Sequence, residues 1–229
     1  MGLNSMEDKF DWQNPSHGIR AILFDLDGVL VDAADWHKEA FNLMLTEHGY
    51  ASLTDKEHVV DFNGLSSRKK LAMLVEQGRV PDNQKELDRL HVFKQTKTVE
   101  MIQEKCKPTI RVTDVLVYSK SIGMKIGVVT NCSRATSLMM LRLSNCDMLD
   151  VLVTNNDVGG KIKPHPWPWL KAAFDLELCP KQCLAIDDTM SKGVISAVKA
   201  RCKIWHLKKF EDLSVKNLMT ILEKLKIRI

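Results

Sequence analysis

Over residues 21–31 the chain reads Ala-Ile-Leu-Phe-Asp-Leu-Asp-Gly-Val-Leu-Val, an apolar run halted by two carboxylates and a glycine. Ile22, Leu23 and Phe24, with no polar residue among them, have the pattern of a strand buried on both faces. Four later stretches also read as strand-like: 125–130, 151–154, 183–186 and 203–207. Between them the apolar positions shift to helical spacing, predicting helices over 113–121, 134–143, 168–174, 194–200 and 213–225. Strands alternating with helices argue for a doubly wound parallel α/β sheet.

Residues 33–107 break the alternation and read as helical throughout. Asp35 is expected to cap a helix carrying Trp36, Ala40, Phe41, Met44 and Leu45, ended by Gly49. Thr54-Asp-Lys-Glu57 fits a capping box. Ser66 or Ser67 opens a helix through Leu71, Leu74 and Val75 that Gly78 ends. Asp82 is expected to open a longer one through Leu87, Leu90 and Phe93. This block is predicted to be a helical cap inserted after the first strand, with connectors near Asp32-Ala33 and Lys107-Pro108-Thr109. The division is then a tail over 1–18, a core over 19–32 and 108–229, and the cap over 33–107. No repeat or low-complexity segment appears.

Composition narrows the class without choosing a function. The chain has 229 residues, is 45% hydrophobic and 27% charged, and carries a net charge of +4, the balance of a globular protein. Lys and Arg are spread along it, which suits a solvated surface or an anionic substrate and gives no sign of a nucleic-acid partner. No apolar stretch approaches the roughly 20 residues that span a bilayer, so no membrane partner is expected. Residues 1–18 are polar and acidic, unlike a signal peptide. The six cysteines form no paired framework; Cys179 and Cys183 are spaced C-x3-C without a second pair to complete a zinc site. Reduced thiols and a cytoplasmic location follow as expectations.

Polar sites fall at or just beyond the strand ends: Asp25 and Asp27; Thr130-Asn131; Lys163 in Lys-Ile-Lys-Pro-His-Pro; and Asp187-Asp188-Thr189. Each alone has a plain structural reading, as a surface turn, a helix N-cap, an exposed loop lysine and a turn acid pair. In a parallel sheet, however, ligands bind beyond the carboxyl ends of the strands, and buried acids need partners or a metal.

As an ordered set, D-x-D-G-V-L, V-V-T-N, K-P-x-P and I-D-D-T followed by Gly193 resemble the four motifs of the haloacid dehalogenase superfamily. The likeness covers nearly the whole chain beyond the tail. The position of the helical insertion is similar to the branch containing phosphoglycolate phosphatases and β-phosphoglucomutases. The resemblance implies a Rossmann-like core with an inserted cap. It also implies a Mg²⁺-dependent phosphatase acting on a small phosphorylated metabolite, a sugar or hydroxy-acid phosphate, through an aspartyl-phosphate. Asp25 would be the nucleophile and Asp27 the general acid/base. Mg²⁺ would be bound by Asp25, the backbone carbonyl of Asp27 and Asp188, with Asp187 as a further or water-mediated partner. Gly28 would let the turn close beside the phosphate. Thr130 and the N–H of Asn131 would meet the phosphoryl oxygens, and Lys163 would neutralise charge. Arg134 is either a further phosphate contact or a solvated helix arginine.

His37 occupies a position where similar enzymes often carry His at the cap entry; it either touches Asp27 when the cap closes or packs near the hinge. Gly64-Leu-Ser-Ser-Arg-Lys-Lys70 resembles a cap loop whose Ser67 and Arg68 reach the substrate, or a plain capped helix. The arginine of β-phosphoglucomutases falls where this chain has Ser67. Asp187 stands where Glu is frequent, and one residue more than usual separates Asp188 from Gly193. A β-phosphoglucomutase-like transferase and a non-enzymatic phospho-acceptor module are the alternatives. The receiver-like module has a different motif order and would leave the cap unexplained. A monomer or weak homodimer is expected.

Overall fold

A computed structural model describes residues 18–62 and 65–226. The tail expected over 1–18 lies outside them apart from Gly18, as does Gly64. In chain order the elements are β1 (Ala21–Phe24), α1 (Ala34–Glu47), α2 (Asp55–Val60), α3 (Ser67–Glu76), α4 (Gln84–Lys105), α5 (Ile110–Ser121) and β2 (Lys125–Val129). Then come α6 (Arg134–Leu143), β3 (Val151–Val153), α7 (Trp167–Asp175), β4 (Cys183–Asp187), α8 (Ile195–Lys199), β5 (Lys203–His206) and α9 (Val215–Lys226). Two compact units result, Ala33–Cys106 and the remainder. No helix among the described residues is long and apolar enough to cross a membrane.

The larger unit holds a five-stranded sheet in the order β3-β2-β1-β4-β5, every pair parallel. β1 is central and fully buried because it has no polar side chain to expose. Successive side chains face opposite sides. Ala21 and Leu23 join Val129, Val153, Trp169, Ala172 and Ala185 in one core, while α5 buries Val112, Val115 and Leu116 and packs on β2 and α9. Strand order reverses about β1, so the carboxyl ends of β1 and β4 flank the point where this topology opens a ligand crevice.

The helical unit has its own core of Phe41, Met44, Leu45, Leu53, Phe62, Leu71, Leu74, Val80 and Leu90. The capping box is present: Thr54 accepts from the Glu57 N–H and Glu57 takes the Thr54 N–H at 2.7 Å. Ser66 caps α3. Two expected caps are corrected. Asp35 does not cap, because α1 begins at Ala34 and places Asp35 in the first turn, where its charge meets the helix dipole. Asn83 rather than Asp82 opens α4, its amide oxygen three residues from the Glu86 N–H that it accepts.

The expected helix over 194–200 is also corrected. The chain winds through a π turn at Met190–Val194 before the short α8. A π turn absorbs one additional residue within a helix, which accounts for the long interval between Asp188 and Gly193.

Candidate active site

Asp25 and Asp27 leave the end of β1 on a tight turn in which the Gly28 N–H donates to the Val31 carbonyl at 2.7 Å. Gly28 has φ +79°, and a Cβ there would lie 2.5 Å from Asp188 Oδ2, so the position demands glycine on both counts. The Asp25 N–H continues the ladder to the Ile186 carbonyl at 2.9 Å, tying the turn after β1 to the strand that ends in Asp187.

Lys163 sits at the centre of this arrangement. Its ammonium donates to Asp25 Oδ1 at 2.8 Å, Asp187 Oδ2 at 2.8 Å and the Val129 carbonyl at 3.0 Å, using all three of its protons. The Trp169 ring lies 5.1 Å from the same ammonium. Lys163 is 4% exposed, so the exposed-loop reading fails. Burial opposes its charge, but Asp25 and Asp187 outweigh that and hold it above the ordinary lysine value.

Burial pushes the Asp25 carboxyl well up, with Lys163 opposing and the charges of Asp187 and Asp27 adding to the rise. Burial, followed by Asp187, also raises Asp188. Both oxygens of Asp187 are engaged, Oδ2 by Lys163 and Oδ1 by the Thr189 N–H at 2.9 Å. Asp25, Asp187 and Asp188 bring carboxylate oxygens within 4.8 Å of one another. An oxygen-only set of this kind suits a hard divalent cation.

Thr130 follows β2, its N–H bonded to Val153, and its hydroxyl accepts the Cys132 N–H at 3.1 Å. It does not cap α6; Ser133 does. The Asn131 side chain bridges the Lys163 peptide, accepting its N–H at 2.9 Å and donating to its carbonyl at 3.0 Å. That side chain therefore positions Lys163, which leaves only its main-chain N–H for an anion. Arg134 pairs with Asp157 at 2.9 Å, and this contact anchors the turn after β3.

Three residues that the motifs did not single out belong to the same cluster. Cys132 Sγ donates to Asp27 Oδ2 at 2.9 Å, and burial, then Asp27, pushes its thiol well above the ordinary value. His206 Nε2 bonds the Asp188 carbonyl at 3.0 Å from the end of β5. Trp169 underlies Lys163. Only position relative to a strand end could have flagged Cys132 and His206; nothing local marks Trp169.

In the helical unit, His37 Nδ1 lies 3.4 Å from Lys94 Nζ, a lysine 6% exposed. Arg68 is exposed and pairs with Asp88 at 3.2 Å, and Ser67 is the first residue of α3.

Residues 22–206 match the family model described as haloacid dehalogenase-like hydrolase. The chain belongs to that family. It is 30% identical over 194 residues to the pyrophosphatase PpaX of Bacillus mycoides, covering 83% of this chain and 86% of the relative. The crystal structure of β-phosphoglucomutase from Clostridium difficile superposes with a TM-score of 0.74 at 22% identity, over 92% of this chain and all of the other. A predicted phosphoglycolate phosphatase from Haemophilus somnus gives 0.73 at 20% identity, over 88% and 92% of the two chains. These two likenesses show the fold, a Rossmann-like α/β core with a helical insertion. Family membership makes the chain an enzyme of the hydrolase class.

Proposed function

We propose that this chain is a Mg²⁺-dependent phosphatase that hydrolyses a small phosphorylated metabolite through an aspartyl-phosphate on Asp25. The observation that carries this reading is the ion pairing of Lys163 with both Asp25 and Asp187, with the Asp188 carboxylate in the same acidic cluster. Asp25 Oδ1 is held by Lys163 and by the Leu26 N–H at 2.8 Å, so Oδ2 is the oxygen that turns toward phosphorus.

In the first step that oxygen bonds to phosphorus as the ester P–O bond breaks, and Asp27 gives its proton to the leaving oxygen. In the second, Asp27 takes a proton from water, the water oxygen bonds to phosphorus, and Asp25 departs with the electron pair of the acyl-phosphate bond. Lys163 offsets the charge gathered around Asp25 in both steps. The Thr130 hydroxyl and the Asn131 N–H donate to the phosphoryl oxygens.

The cation would be held by Asp25, the Asp27 carbonyl and Asp188, and would supply charge neutralisation for the phosphate. Asp187, with both oxygens engaged, supports from behind. The helical unit is assigned substrate choice, with His37, Ser67 and Arg68 as its contributors. Six cysteines with no disulfide among them fit a reducing compartment such as the cytoplasm.

Phosphate release from a panel of sugar phosphates, hydroxy-acid phosphates and pyrophosphate tests the reading. It is expected to require Mg²⁺ and to vanish in Asp25→Asn. Turnover surviving that change, or continuing in chelator, overturns it. Conversion of β-glucose 1-phosphate to the 6-phosphate faster than hydrolysis would establish the transferase instead.

A further inference from the structure

Every polar group of Cys132 is engaged, and two of its bonds reach residues to which chemistry has been assigned. Its N–H donates to the Thr130 hydroxyl at 3.1 Å. Its carbonyl accepts the Asn155 N–H at 3.1 Å, fixing the loop to the segment after β3. Its thiol donates to Asp27 Oδ2 at 2.9 Å. The main-chain bonds determine where the sulfur sits, and the sulfur meets one oxygen of Asp27.

We infer that Cys132 is a positioning residue whose S–H fixes the rotation of the Asp27 carboxylate for proton transfer. The inference rests on Asp27 being the general acid/base. The Cβ–Cγ torsion of a carboxyl group is soft, so a donor on one of its oxygens narrows the angles it visits. Proton transfer to a leaving oxygen requires hydrogen-bond reach at a defined angle. A donor anchored by two main-chain bonds supplies that angle. Serine keeps a donor at the same place; alanine removes it while leaving both main-chain bonds intact.

The test uses two substrates that differ in their need for acid. Glycerol 3-phosphate loses a poor leaving group that must be protonated, whereas p-nitrophenyl phosphate loses a stable phenolate. For wild type, Cys132→Ala and Cys132→Ser, kcat/KM is measured on both in Mg²⁺. Cys132→Ala is expected to lower the glycerol 3-phosphate value on the order of tenfold more than the p-nitrophenyl phosphate value, the scale of one hydrogen bond to a charged group. Cys132→Ser is expected to restore most of the difference. Equal losses on the two substrates, no loss on either, or failure of serine to restore the ratio overturns the inference while the phosphatase reading stands. Wild type that hydrolyses neither substrate, or Asp25→Asn that hydrolyses both, overturns the reading and the inference with it.

Discussion

Gly193 is moulded to Asp187: a Cβ at residue 193 would lie 1.7 Å from Asp187 Oδ2, the oxygen that receives the Lys163 ammonium. The π turn at Met190–Val194 brings this glycine against the carboxylate, so the backbone path after β4 is built around a side chain at its end. Gly193→Ala is therefore expected to displace Asp187 and cost about 1–3 kcal/mol, the range of an overpacked core. Chemical denaturation checks this; a stability unchanged from wild type would show that Asp187 has room to move.

Removing the cation of the cluster should be costlier. Lys163→Met leaves Asp25 and Asp187 buried without their shared partner, and breaking a buried pair in this way costs about 3–5 kcal/mol. The Asp25 carboxyl, already raised mainly by burial, loses the lysine that opposed the rise. A raised carboxyl favours folding below its unfolded value, and that stability is lost as pH climbs through the folded value. The deficit of Lys163→Met in chelator is thus expected to be largest near neutral pH and to shrink on acidification. Denaturation midpoints at several pH values decide it; a deficit that grows on acidification contradicts it.

At the turn after β1, Gly28→Ala meets two obstacles. Its φ of +79° costs an L-residue about 1–2 kcal/mol, and the new methyl would stand 2.5 Å from Asp188 Oδ2. Loss of Mg²⁺-dependent turnover is expected together with weaker Mg²⁺ binding by calorimetry. Unaltered Mg²⁺ affinity would separate the turn from the acidic cluster.

The capping box of the helical unit should titrate distinctly. The Thr54 N–H, then its hydroxyl, then Arg79 pull the Glu57 carboxyl down to about 2. Such a group contributes stability above the ordinary value of 4.5 that drains as pH falls toward about 2. A carbon-detected NMR titration is expected to place Glu57 well below the ordinary value of 4.5, and Glu57→Gln to flatten the acid dependence of stability. A midpoint near 4.5 would contradict the observed bonds.

The fold class was legible because a central strand buried on both faces, such as β1, leaves no polar residue inside it, and five strand-like runs separated by helical spacing admit few arrangements. The interval from Asp188 to Gly193 signalled an irregularity that only the structure resolves as a π turn. Helix starts were less legible where neighbouring residues compete: Asp82 and Asn83 are both capable caps, and the spacing to Glu86 selects the second. The Asn131 bridge to Lys163 joins residues 32 positions apart, and Cys132 meets Asp27 across 105. Contacts of that range leave no periodicity in the chain, so the strand-end acids stood out while the side chains that orient them did not.

The central claim is that Asp25 carries the phosphoryl group. Acid-quenched turnover with Mg²⁺ and substrate, followed by peptide mass analysis, tests it directly. A phosphoryl adduct on the peptide containing Asp25, removed by hydroxylamine and absent in Asp25→Asn, is the expected result; steady phosphate release with no adduct on Asp25, or release by Asp25→Asn, would contradict it.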